Sequence, residues 1–169
     1  MPVVDALLPE FDHEMANTRR VLERIPEDRL GWRPHAKSFT LGELATHVAT
    51  LPSWVSETLG RTELDLAPGG VPAPRTKEAG SRAELLERFD EHVAKARTAL
   101  AGASDAALFQ SWSLLQNGKT ILSMPRAAVL RGFVLSHLIH HRGQLTVYLR
   151  MNDVPLPGLY GPSADEVGF

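Results

Sequence analysis

Cysteine is missing from all 169 residues, which removes disulfides, thiolate metal ligands and a cysteine nucleophile while leaving the redox compartment open. A surplus of charge is missing too. The 18 basic and 20 acidic side chains leave a formal net charge of −2 and are mixed along the chain, so no basic stripe follows a phosphate backbone and nucleic acid is not expected as a partner. No run approaches the roughly 18 apolar residues of a membrane span. The opening stretch MPVVDALLPEFDHE has no basic segment ahead of an apolar one, so neither a secretory leader nor membrane attachment is expected, and a cytoplasmic location is. What is present is ordinary for a single domain, here residues 1–169. Hydrophobic residues make up 43%, and a chain of this length buries about 70% of its unfolded surface.

Four stretches carry helical spacing. Leu7, Phe11, Met15, Val21, Leu22 and Ile25 give one apolar face over residues 5–25, ended by Pro26. Thr40 with Glu43 three residues on reads as a capping box, opening a helix over 40–60 whose face runs Leu44, Val48, Leu51, Val55 and Leu59. Pro52 lies inside it and is expected to kink it one turn beyond His47, or to break it. Residues 60–80 are rich in Pro and Gly and aperiodic, which reads as a crossover. Ser81 with Glu84 predicts a second capping box and a helix over 81–101, stopped by Gly102. Asn117-Gly118 between apolar runs predicts a two-stranded hairpin with Trp112, Leu114 and Ile121 on one face and no larger sheet. A fourth helix is expected from Pro125 to about Asn152, its inward positions being 130, 134, 137, 141, 145 and 148. Together these predict an all-α, up-down-down-up four-helix bundle with a long crossover between the second and third helices, a small hairpin before the fourth, and an extended strap over 152–169.

Within the fourth helix, HLIHHRGQ at 137–144 places three histidines in five positions. His137 and His141, at i and i+4, lie about 40° apart around the axis and about 6 Å apart along it, so both imidazoles can reach one ion. His140 falls off the inward stripe and is not expected to be a ligand. Such a pair also arises by chance on solvated faces, and a lone buried histidine is usually a satisfied core residue. His47, between Leu44 and Leu51 on the inward face of the second helix, supplies a third imidazole. Three buried imidazoles without partners would each cost about 1–3 kcal/mol, whereas one divalent ion satisfies all three. Neutral nitrogens without thiolate suit zinc, nickel, iron or copper, and three protein ligands leave a position open to water or substrate. Because each ligand must be neutral to bind, metal affinity is expected to fall steeply as pH drops through about 6.5.

The segments LGWRPHAKSFTLGELATHV at 30–48 and LSHLIHHRGQLTVYLRMNDVPLPGLYGPSADE at 135–166 resemble the DinB superfamily of bacterial four-helix-bundle proteins, and with the helix pattern the resemblance spans nearly the whole chain. It implies that His47, His137 and His141 coordinate a divalent metal. It also implies a choice among activities. Some members are thiol-dependent transferases or isomerases using bacillithiol, mycothiol or glutathione, and others have no assigned reaction, so fold does not decide. The leading expectation is a metal-dependent enzyme, a thiol S-transferase or hydrolase-like, with zinc, nickel or iron activating a low-molecular-weight thiol cosubstrate or water against a small-molecule electrophile. The alternative is a noncatalytic, metal-bound dimeric scaffold associated with stress.

Several neighbours admit two readings. Arg142 could hold a substrate carboxylate or make a surface ion pair. Gln144 and Tyr148 could line the pocket, with Tyr148 equally suited to the core; Trp54 could sit at the mouth or pack inside. Glu43 is explained by its cap. Trp32, Pro34 and His35 read as a loop plug before the second helix. Gly132 and Gly143 each cost about 1 kcal/mol inside a helix, which a close helix approach, such as a homodimer contact, would offset.

Overall fold

A computed structural model describes residues 1–166. The chain is mainly helical with a small three-stranded sheet. The first helix, α1, spans Val3–Leu22, starting two residues earlier than its apolar spacing suggests because Asp105 accepts a hydrogen bond from the otherwise free Val3 N–H at 2.8 Å. It stops at Leu22, where Arg24 and Ile25 turn back by short bonds to Val21 and Leu22.

The second helical stretch is α2, Leu41–Thr50, followed by α3, Ser53–Gly60. Its capping box is formed: the Thr40 hydroxyl accepts from the Glu43 N–H at 3.0 Å, and the Glu43 carboxylate accepts from the Thr40 N–H at 2.7 Å. Pro52 bends this stretch without ending it. Leu51 and Pro52 keep right-handed helical torsions, Leu51 N–H still reaches the His47 carbonyl at 3.0 Å, and the two following bonds tighten to three-residue spacing.

After the strand β1, Glu63–Asp65, α4 runs Arg82–Ala101. Its predicted box is half made: Ser81 accepts from Glu84 N–H at 3.1 Å, but the Glu84 carboxylate takes the N–H of Gly80, not that of Ser81. The short α5, Asp105–Leu108, capped by Ser104, was not legible in the sequence. Strands β2, Ser111–Gln116, and β3, Lys119–Pro125, form the hairpin. The final helix is α6, Arg126–Val129, a π-helical turn over Leu130–Ser136, and α7, His137–Met151.

Two expectations about the sheet are corrected. It has three strands in the order β1-β2-β3, because β1 in the crossover pairs parallel to β2, Leu64 opposite Leu114. Three residues are too few to show a period in sequence. The turn of the hairpin is where it was expected, with Asn117 and Gly118 at φ 51° and 73°. A bulge then pairs Leu115 with Thr120 but Leu114 with Leu122, so Ile121 turns outward and is 54% exposed. Leu122 and Met124 pack instead with Trp112, Leu114 and Val129 in a small core under the sheet.

Asp65 ties β1 to the hairpin. Its carboxylate accepts the N–H groups of Ala67, Asn117 and Gly118 at 2.8, 2.9 and 2.8 Å. The Ala67 bond is the largest cause that holds this carboxyl below its ordinary pKa, with Gly118 and Asn117 adding to it. Asp65→Ala is therefore expected to speed hydrogen exchange at the Gly118 amide and to lower Tm at neutral pH. The Tm deficit should shrink in acid as the wild-type carboxyl protonates and loses the same bonds.

The main core joins α1 to α4 and α7, and α2 to α4 and α7, around Phe11, Leu22, Leu44, Phe89 and Leu138. Residues beyond α7 lie across α1 as a strap. Arg20 donates to the Gly158 carbonyl at 2.6 Å, and Arg20 and Arg24 both pair with Glu166. The last three residues of the expected strap fall outside the described residues. No helix among the described residues is long and apolar enough to cross a membrane.

Candidate metal centre

The kinked second helix and α7 bring His47, His137 and His141 together. One ring nitrogen from each lies within 4.8 Å of the others, the ring centroids are 4.6–5.1 Å apart, and Nε2 of His47 sits 3.3 Å from Nε2 of His137. One of the rings is oriented from behind. Gln144 Oε1 lies 2.7 Å from His141 Nδ1. This partner is an acceptor, so it fixes a proton on Nδ1 and turns the Nε2 lone pair of His141 toward the centre. Burial is the main cause that holds all three imidazoles below their ordinary pKa; His141 and His137 add to it at His47, His141 and His140 at His137, and His140 at His141. For His47 the value falls to about 4. Converging neutral imidazole nitrogens form a donor set that suits a divalent cation.

Leu130, Val134 and Leu145 face inward as expected, but positions 137, 141 and 148 each lie one residue short of the buried stripe. The buried stripe of the last helix runs Val134, Leu138, Arg142, Leu145 and Leu149, while His137, His141 and Tyr148 are half-buried along its shoulder. The cause is Arg142, which occupies a core position. It is 1% exposed, contacts Glu14 Oε2 at 2.6 Å, and donates to the Glu14 carbonyl and the Thr18 hydroxyl at 3.0 and 3.1 Å. Tyr160 of the strap completes the network by donating to Glu14 at 2.7 Å and contacting Arg142. Arg142 is thus neither a surface ion pair nor part of the pocket.

The remaining candidates divide. Gln144 is exposed and serves the site through His141. His140 is exposed, its ring 5.0 Å from that of His141. Tyr148 packs edge-on against Trp32 at 5.5 Å. Trp54 does not reach the mouth; it meets Trp112 at 6.4 Å beneath the sheet. Gly132 and Gly143 have nothing within 4 Å where a Cβ would stand, so no close approach within the chain explains them.

Sequence reasoning missed a cavity of about 330 Å³ that opens beside His47. Phe39, Glu43 and Thr46 wall one side, and Arg75, Thr76 and Glu78 of the crossover wall the other. An aperiodic loop gives no signal of where it docks. The loop docks over Gly42, where a Cβ would collide with the Glu78 carboxylate. Arg126 was missed as well. It is buried, and its guanidinium donates to the carbonyls of Thr58 and Arg61 at the end of α3 and to Gln110, where the helix terminus carries partial negative charge.

Comparison with known proteins settles the family. The model described as the DinB superfamily matches residues 10–145, most of the chain. The chain belongs to the DinB superfamily. Among curated relatives, the uncharacterized protein YrdA of Bacillus subtilis (strain 168) is 27% identical over 168 residues, covering 96% of this chain and 91% of its own. A DinB-like protein of Bacillus cereus ATCC 10987 has a similar crystal structure, with TM-score 0.71, 21% identity, and coverage of 94% of this chain and 98% of that one. The DinB-like protein YjoA of Bacillus subtilis follows with TM-score 0.69, 20% identity, and coverage of 91% and 97%. At these identities the two structures speak for the DinB-like fold.

Proposed function

We propose that this DinB-like chain is a metal-dependent enzyme. One divalent transition ion, zinc, nickel or iron, would be held by His47, His137 and His141 on an up-down-down-up four-helix bundle. The observation that carries the reading is three imidazoles, held neutral by burial, converging beside an open cavity. When bound, the ion supplies Lewis acidity that lowers the pKa of a low-molecular-weight thiol or of water, readying it to attack a small electrophile. The chain's own contribution is to keep the rings neutral by burial, to fix the His141 tautomer through Gln144, and to leave one side accessible past Phe39, whose ring lies 6.2 Å from that of His47. The absence of cysteine means that any thiol comes from outside the chain.

The test is metal analysis after stripping and reloading. About one divalent ion per chain is expected, lost in His47→Ala and His141→Ala and retained in His140→Ala. Equal loss in the two single variants of the 140–141 pair would overturn the assignment. A panel of thiols and electrophiles, with loaded and stripped protein compared, then tests turnover.

A second reading rests on a different observation. Phe133, Val147 and Met151 are exposed apolar residues near Gly132 and Gly143, which are open to solvent. This face would suit a homodimer contact of a noncatalytic scaffold. Sedimentation of the wild type against Val147→Glu checks it: an unchanged mass would remove the face from consideration.

A further inference from the structure

The crossover closes the cavity beside His47 by specific contacts. The Thr46 hydroxyl accepts from the buried Ala79 N–H at 3.0 Å, and the Glu78 carboxylate lies over Gly42, where a side chain would exclude it. Arg75 and Glu78 are thereby held on the cavity wall, yet among the described residues neither makes an ion pair. Glu43, the other charged wall residue, is committed to the Thr40 N–H, with Arg75 and Arg33 acting on it from a distance. The wall therefore presents one uncommitted cation and one uncommitted anion, with the half-exposed Phe39 ring as an apolar surface next to His47. A simple anion would meet Glu78, and a simple cation would meet Arg75. A ligand carrying both charges satisfies both, and the volume falls at the small end of ligand sites.

We propose that this compartment recognises a small zwitterion, an α-amino carboxylate, with Arg75 on its carboxylate and Glu78 on its ammonium, and that the remainder of the molecule extends toward the three histidines. The last clause rests on reading the histidine cluster as the reactive centre; the recognition itself does not.

Calorimetric titration with L-methionine, its methyl ester and the des-amino analogue γ-(methylthio)butyrate tests the proposal on stripped and on zinc-loaded protein. Methionine should saturate both forms in the millimolar range, with the ester and the des-amino acid each weaker by about tenfold. Arg75→Gln should erase the difference between acid and ester, and Glu78→Gln the difference between amine and des-amino compound. Gly42→Ala, which displaces the Glu78 carboxylate, should behave as Glu78→Gln does. Both charged residues lie on the surface of the crossover, so their variants should fold. Equal binding of all three probes, no saturation by methionine, or unchanged discrimination in both variants would overturn the proposal; the last result would mean that the amino acid chelates the ion directly. Zinc content measured after reloading separates the two readings. Discrimination by protein that takes up no zinc on reloading would sustain recognition and sink the reactive centre, and zinc uptake without discrimination would do the reverse.

Discussion

Glu14→Ala is expected to destabilise the protein by about 3–5 kcal/mol, because it strands the Arg142 guanidinium in the core without its counter-charge. The alternative magnitude is well separated. A surface ion pair, as the sequence suggested for Arg142, is worth about 0–1 kcal/mol, and the two cases differ by several fold in a urea titration. The structure decides for the larger value, since both side chains are buried and the guanidinium spends its donors on Glu14 and Thr18. For a domain of this size the loss corresponds to a fall in Tm of about 10 °C. Replacing the pair together, Glu14→Leu with Arg142→Met, should recover most of that loss, because both desolvation costs disappear with the charges. A double variant as unstable as Glu14→Ala would show that the network contributes through shape and not through charge. Tyr160→Phe should cost less, as it removes one hydroxyl and leaves the ion pair in place.

Why Arg142 was misplaced explains how far the sequence reaches here. Amphipathic spacing located the long helices to within a few residues, and a capping box, a proline and an Asn-Gly turn fixed local geometry where each carries its own chemistry, at Thr40, Pro52 and Gly118. Those signals are local. Arg142 owes its burial to Glu14, 128 residues away, and no spacing along α7 announces such a partner, so the core position it fills was assigned to its neighbour His141. The same limit hid β1, whose pairing with β2 depends on a crossover without periodicity, and the bulge that turned Ile121 outward. The three histidines were legible because imidazoles on helical faces are rare enough to be asked about individually. The cavity beside His47 was not, since half of its wall comes from a loop that docks against Thr46 and Gly42.

The histidine cluster has a consequence for pH that composition alone places differently. Near neutral pH, saturating metal at about a hundred times Kd should stabilise the folded chain by roughly 2.7 kcal/mol, a gap of about 5–10 °C between loaded and chelated protein. Free imidazoles titrate near 6.5, and ligands behaving so would lose the ion as pH falls through that value. In the folded chain all three rings are held below it, His47 at about 4. Protons therefore compete for the folded site only in stronger acid, and the gap should persist through pH 6.5 and close between about 6 and 4. The metal-free protein has its own slope over the same range. Below about 6.5 the unfolded chain takes up protons that the folded rings refuse, so stability present above that pH is lost as pH falls toward the folded value. Both melting curves should thus drop in mild acid while remaining apart, and only then converge. Closure of the gap near 6.5 would mean that the rings are not desolvated as the structure has them. A gap independent of pH down to 4 would mean that the ion is not held by histidines at all.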